Sequence, residues 1–340
     1  MVGKFTACDA PGGGEIQQRE TQRYLRNLGI DARPWRPWEE SFEQLDVLHL
    51  FGSRPEFVEL ARAARRHGVN VVLSPIAWYD LKAYWHEARP FSRRLLACAR
   101  HLLRGACPSV PSWRHALYQH VDLLLPNSQV EANQLQRLFG VDETKIRVIR
   151  NGADRKYADA TSAEFVARFG IRDFVLCAGR IEPRKNQLAL LRAMQNHDIP
   201  LIVLGNVVPG HEDYYAACRR TASGNVFFMD AFHPCDPLLA SAYAACSCLA
   251  LVSWFETPGL VALEAGMLGK PLVLTYQGSA EEYFGELATY VSPGDVQGIR
   301  RAVAAAVRQP PNRELSRHVS MNFNWYSIAH ETSQAYATLL

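Results

Sequence analysis

Asp173-Phe-Val-Leu-Cys-Ala178-Gly179-Arg180-Ile181-Glu182-Pro183-Arg184-Lys185-Asn186 is the stretch on which the reading of this chain turns. The apolar run up to Ala178 reads as a strand buried on both faces, the kind found in parallel sheets. Gly179 closes it, a basic loop follows, and a helical pattern opens at Gln187 and runs to Asn196. The same strand–turn–helix unit recurs on either side. Upstream, Asp46–Phe51, Val69–Leu73, Val121–Leu125 and Ile146–Ile149 read as strands, with helices at Pro55–His67 and Gln129–Phe139. Downstream, strands are expected at Pro200–Leu204, Val226–Met229, Cys248–Val252 and Pro271–Leu274. Helices are expected there at Pro237–Ala245, Val261–Leu268 and Val296–Arg308. Such alternation predicts an α/β protein with helices on both faces of a parallel sheet. Because the pattern restarts at Asp173, two domains are expected, joined near Asn151–Ala160. The first strand is weakly written: Lys4 and Thr6 interrupt Val2, Phe5 and Ala7.

Composition permits two cores. The chain has 340 residues, 48% of them hydrophobic and 21% charged, which excludes a disordered protein. A net charge of +3 gives no ground for a nucleic-acid partner. Eight cysteines occur with no C-x-x-C spacing, and several lie in apolar runs. They read as free thiols of a reduced, cytoplasmic protein. The sequence start has no apolar signal-peptide core, and no apolar run approaches the roughly 18 residues of a membrane span.

Three segments carry the chemistry. In the opening stretch, Arg180 and Lys185 are placed to converge on one anion, as a diphosphate requires; the competing reading is a solvated basic loop. The second is Phe255-Glu256-Thr257-Pro258-Gly259-Leu260-Val261-Ala262-Leu263-Glu264. Thr257-Pro258-Gly259 breaks the chain ahead of a helix whose first N–H groups form an anion site. Glu256 lies just before it and Glu264 a turn inside, and either carboxylate suits a pair of hydroxyl donors. Taken alone, they also read as an N-terminal helix carboxylate and a solvated helix Glu. The third is Ala10-Pro11-Gly12-Gly13-Gly14-Glu15, read as a loop between the first strand and a helix at Ile16–Asn27. Gln17 stands where a third glycine of G-x-G-x-x-G would be, and Gly266-Met-Leu-Gly269-Lys270 is too short for a P-loop. Both facts count against a nicotinamide dehydrogenase and a P-loop NTPase.

In order and spacing, these segments resemble glycosyltransferase family 4, the retaining group 1 enzymes of GT-B fold. Val148-Ile-Arg-Asn-Gly-Ala-Asp154, Gly278-Ser-Ala-Glu-Glu282 and Val291-Ser-Pro-Gly-Asp295 match its later landmarks. The resemblance implies two Rossmann-like domains facing each other across a cleft. An acceptor domain would span 1–155, joined by a returning C-terminal helix at about 325–340, and a donor domain would span 156–324. It implies that Arg180 and Lys185 hold the diphosphate of a nucleoside-diphosphate sugar, with Glu256 on the sugar and Glu264 on the ribose. Thr257, Pro258, Gly259 and Leu260 would present backbone groups, Gly13 and Gly14 would close over the phosphates, and Gly205, Asn206 and Phe232 would lie near the base. No cofactor and no metal are implied, which fits the missing Asp-x-Asp motif. The acceptor would be a glycan or a lipid-linked sugar, in the service of surface polysaccharide synthesis. A catalytically inactive binding subunit and a nucleotide-sugar epimerase are the alternatives.

The sequence departs from the family on the acceptor side. Where many members carry a His, this chain reads Ser74-Pro75-Ile76-Ala77-Trp78-Tyr79-Asp80. His49 and Asp80 are the acceptor candidates, against readings as a satisfied strand-end histidine and a helix cap. Leu81–Arg104 mixes five arginines with aromatics and leucines. It reads either as a face for peripheral contact with the inner side of a membrane or as a solvated helix over the core.

Overall fold

A computed structural model describes residues 1–3, 12–36, 38–86 and 91–340. The expected strand through Phe5 and Ala7, the Ala10-Pro11 part of the glycine segment, and Arg89 lie outside the described residues. The chain divides into two compact units. One comprises Met1–Trp85, Arg89–Asn151 and Trp325–Leu340; the other contains Gly152–Asn324.

The first unit is built on three parallel strands in spatial order β1 (Val47–Phe51), β2 (Asn70–Ser74) and β3 (Leu123–Leu124). Single bridges extend the sheet at each edge, Val2 to Leu50 and Leu124 to Ile146. The expected strand at Ile146–Ile149 is therefore one bridge long. Helices Phe57–Arg66, Trp113–His120 and Gln129–Phe139 pack on the sheet. Each buries an apolar stripe into a core that includes Leu48, Leu50, Phe57, Val71, Leu73, Tyr118, Leu135 and Phe139. Gly140, in the left-handed conformation (φ 59°), ends the last of these helices. Two helices, Leu81–His86 and Phe91–Ala106, occupy the arginine-rich segment. Helix Trp325–Ala337 completes this unit, packed on helix Gly13–Asn27 with Trp325, Ile328, Ala329 and Tyr336 buried.

The second unit holds six parallel strands: β4 (Phe174–Ala178), β5 (Leu201–Leu204), β6 (Val226–Met229), β7 (Cys246–Leu251), β8 (Leu272–Thr275) and β9 (Thr289–Val291). Their spatial order is β6-β5-β4-β7-β8-β9. Counted within the unit this is 3-2-1-4-5-6, the doubly wound order of a dinucleotide-type sheet. Strand order reverses between β4 and β7, and the loops that leave those two strands lie beside each other there. Ligands of open α/β sheets bind at this switch point. Helices Pro237–Ala245, Leu260–Met267 and Val296–Ala306 lie where the sequence places them. Helices Glu212–Thr221 and Arg313–Asn322 are additional. All seven described cysteines are free thiols. Among the described residues, no helix is long and apolar enough to cross a membrane.

Candidate active site

Two loops meet at the switch point, Gly179–Asn186 after β4 and Val252–Gly259 after β7. Backbone contacts lace them together: Trp254 N–H donates to Arg184 O at 2.9 Å. The Arg184 guanidinium donates to Phe255 O at 3.3 Å and lies over the Phe255 ring, 5.1 Å from its centroid. At the centre, Lys185 Nζ donates to Glu256 Oε1 at 2.5 Å, and Ser253 Oγ donates to the same oxygen at 2.6 Å. Arg180 and Arg184 share Glu182, at 3.4 and 2.9 Å. Three cations and two carboxylates thus gather on two adjoining loops, with Arg180 the most exposed of the five side chains at 33%.

Burial alone would raise the Glu256 carboxyl, but the Lys185 and Arg184 charges outweigh it and hold it below the ordinary carboxylate range. Glu182 behaves the same way: burial opposes ionisation, and Arg184, Arg180 and Lys185 overcome it. Burial lowers the Lys185 ammonium, an effect the Glu256 carboxylate only partly offsets. An ion pair held in so dry a place can exchange partners, because an incoming polyanion would meet a cation that bulk water barely screens.

Glycines let these loops approach one another. A Cβ at Gly278 would fall 1.9 Å from Glu256 O, and the local φ is +128°. Glu256 N–H donates to Gln277 O and Ser279 N–H donates to Glu256 O, which pins the Glu256 backbone to the chain leaving β8. Gly259, with φ +87°, caps helix Leu260–Met267, and its α-carbon faces Glu256 Oε2. Glu256 therefore lies beside the positive end of that helix, where a carboxylate is favoured. Thr257 and Pro258 form the turn between them, and Leu260 starts the helix. Glu264, further inside the same helix, is buried and accepts a 2.6 Å bond from the Tyr243 hydroxyl.

Besides Arg184 and Glu182, two site residues escape the sequence reading. Asn186 takes the left-handed conformation (φ 56°), and its buried side-chain amide donates to Val252 O at 2.9 Å and Pro293 O at 2.8 Å. It clamps the β4 loop to the ends of β7 and β9. The other is Ser253, the second donor to Glu256. A polar residue directly after a basic pair was the only available signal for Asn186.

The structure reassigns several expected positions. Gly13 and Gly14 are not in a loop: they open helix Gly13–Asn27. Glu15 Oε2 accepts from the Gly12 N–H at 2.9 Å, which satisfies the helix start despite the low helix propensity of glycine. A Cβ at Gly14 would sit 3.3 Å from Ile76 Cδ1, so packing as well as backbone freedom explains a glycine there. His49 is 2% exposed, and both ring nitrogens are used, at 2.6 Å to the Tyr336 hydroxyl and 3.0 Å to Ser74 Oγ. No atom of it remains for an acceptor. Asp80 caps helix Leu81–His86, accepting from the Lys82 N–H at 2.7 Å. Gly205 permits a close approach of strand ends, since a Cβ would fall 2.0 Å from Gly179 O. Asn206 is exposed and accepts from the Ala231 N–H at 2.9 Å, holding the loop that carries Phe232. Phe232 itself stacks on Phe169 with centroids 6.1 Å apart.

The family described as glycosyl transferases group 1 matches residues 162–322, and glycosyltransferase family 4 matches residues 14–157. The chain belongs to the group 1 glycosyltransferases. Over 240 residues it is 29% identical to a D-inositol 3-phosphate glycosyltransferase of Kribbella flavida, covering 64% of this chain and 56% of that protein. It is 26% identical to O-antigen chain mannosyltransferase B of Escherichia coli, covering 66% and 63%. This group 1 chain thus spans less than two thirds of the length of either relative. Solved structures share its GT-B fold. A sucrose-phosphate synthase from Thermosynechococcus elongatus aligns with a TM-score of 0.74 at 19% identity, over 96% of this chain and 94% of that one. HepE of Anabaena in complex with UDP-glucose aligns with a TM-score of 0.74 at 17% identity, over 96% of both chains. At these identities the likeness is one of fold.

Proposed function

We propose that this glycosyltransferase moves a sugar from a nucleoside diphosphate to a hydroxyl of a glycan or lipid-linked acceptor, with retention at the anomeric carbon. The observation that carries the donor half is the Lys185–Glu256 pair, with Arg180 and Arg184 beside it, at the switch point of a doubly wound sheet. The family membership and a structural neighbour bound to UDP-glucose support the same reading. In it, Arg180 and Lys185 take the diphosphate, and Lys185 exchanges Glu256 for phosphate oxygens. Glu256, released from Lys185 and still held by Ser253, accepts from sugar hydroxyls. Glu264 accepts from the ribose, and Thr257–Leu260 present the helix start to the anion.

The reaction breaks the bond from the anomeric carbon to the phosphate oxygen and forms one to the acceptor oxygen on the same face. The acceptor's proton passes to the departing diphosphate. Negative charge grows on that diphosphate as the bond breaks, and Arg180 and Lys185 are fixed cations positioned to stabilise it. Transfer is accordingly expected to continue in excess chelator; activity that vanishes with chelator and returns only with a divalent ion would contradict this.

The direct test is a thermal-shift panel of UDP-, GDP- and ADP-sugars on the wild type and Arg180→Ala. One nucleotide sugar is expected to raise the melting temperature of the wild type and to lose most of that effect in the variant. Equal shifts in the two proteins would overturn the donor assignment.

A further inference from the structure

The first unit contains a cavity of about 460 Å³ beneath helix Phe91–Ala106, far along the chain from the Arg180–Glu256 loops. Arg100, His101, Arg104 and Arg114 line one part of it, and Val110, Leu138 and Phe139 line another. None of its described lining residues is Asp or Glu. The guanidiniums of Arg104 and Arg114 are held by aromatic faces rather than by carboxylates. Arg104 lies 4.9 Å from the Phe139 ring centroid, and Arg114 lies 4.2 Å from that of Trp113. Three nitrogen atoms here are buried with no hydrogen-bond partner among the described residues: His101 Nδ1, Arg104 Nη1 and Arg114 Nε. Burial, and after it the charges of Arg114 and Arg100, pull the Arg104 pKa down. Among the described residues, Asp80 acts on His101 and is occupied in capping a helix.

Such an arrangement is unfavourable by itself. Like charges repel in a partly desolvated space, and buried donors without partners carry a desolvation cost. One ligand chemistry removes both costs, an anion with several acceptor oxygens. The cavity also opens beside Ser112, the residue that caps helix Trp113–His120, so the start of that helix adds a favourable dipole. We propose that this cavity binds a phosphate group, held by Arg104, Arg114 and His101 with Arg100 at the rim, on a ligand whose remainder lies against the wall of Val110, Leu138 and Phe139. Arginine is the side chain best shaped to give a phosphate two parallel bonds. Stacking on Phe139 and Trp113 holds the two guanidiniums in place before the ligand arrives. This site is distinct from the diphosphate grip in the second unit, and a test can separate the two.

The phosphate could be carried by a soluble ester or by a lipid headgroup. The experiment therefore has two arms, calorimetric titration with inorganic phosphate and co-sedimentation with phosphatidic acid vesicles in phosphatidylcholine. Each is run on the full chain as wild type, Lys185→Ala, Arg104→Gln, Arg114→Gln and Arg100→Gln. Wild type and Lys185→Ala are expected to bind alike in at least one arm. The Arg104 and Arg114 variants are each expected to bind about tenfold more weakly or worse, the loss of one charge-assisted contact. Binding in the first arm assigns a soluble phosphate, and binding in the second alone assigns a headgroup. Arg100 is exposed, so Arg100→Gln should fold normally and still weaken binding even where Arg104→Gln does not fold. Wild-type binding in neither arm, or binding lost in Lys185→Ala and unchanged in the three arginine variants, would overturn the proposal.

Discussion

Single side chains here show how burial settles a role that residue type leaves open. His49 stands in the middle of β1 rather than at its end, and Tyr336 and Ser74 consume both its nitrogens. Burial keeps it neutral, with its pKa well below the usual histidine value. The folded form therefore resists a proton that the unfolded chain accepts below about pH 6.5. Its contribution to stability is complete above that pH and declines as pH falls, by up to about 1.4 kcal/mol per pH unit. His49→Gln should flatten the fall in melting temperature between pH 6.5 and pH 5, a window flagged by roughly the ordinary histidine value; parallel curves for the two proteins would contradict this. Glu256 acts in a separate, more acidic window. Its carboxyl is depressed, so its contribution is present above about pH 4.3 and is lost only as pH drops through its folded value. Truncating one member of its buried pair is expected to be costly. Glu256→Ala leaves Lys185 without its anion, which should lower the unfolding free energy by about 3–5 kcal/mol in urea titrations. A loss under about 1 kcal/mol would mean that the pair is solvent-relaxed, as surface pairs are.

Elements show where sequence reasoning reaches and where it stops. Val226–Met229 and Pro237–Ala245 fall on their expected residues, because apolar runs and the Asp236-Pro237 start are local signals. Ile146–Ile149 has the composition of a strand but pairs only once, since its neighbour β3 is two residues long. The glycine run at 12–14 reads as loop on propensity, and the Glu15 contact to Gly12 makes it a helix start instead. In the site, the charged residues Arg180, Lys185, Glu256 and Glu264 were legible as chemistry in short segments. The clamp by Asn186 was not, because its partners Val252 and Pro293 lie 66 and 107 positions further on. Asn186→Ala removes the donor to both carbonyls and puts alanine, which tolerates the left-handed region less well than asparagine, at φ 56°. A destabilisation of about 1–3 kcal/mol is expected by denaturant titration, with a matching loss of turnover. A variant as stable and active as wild type would show that the loops hold each other without it.

At the scale of the molecule, the last helix belongs with the first unit although its sequence follows the second. The connections lie side by side, with Ala153 N–H donating to Phe323 O at 2.8 Å. Beyond them, Asn70 Nδ2 reaches Leu339 O at 2.9 Å, and the Tyr336 hydroxyl reaches His49. Tyr336→Phe leaves His49 Nδ1 without a partner in the core, so a loss of about 1–3 kcal/mol is expected. In a melt that resolves the units, the unfolding of the first unit should move and that of the second should not; a shift confined to the second would contradict the assignment of this helix. The doubly wound second unit supplies the switch point on which the whole functional account depends. Arg180 and Lys185, as proposed above, neutralise the leaving diphosphate. The measurement that bears on it most directly is steady-state turnover of the single Ala variants with the nucleotide sugar that stabilises the wild type. A fall in kcat of about 10²–10³ is expected for each, the usual cost of removing one preorganised donor to developing charge. Wild-type kcat in both variants, with the same donor, would contradict it.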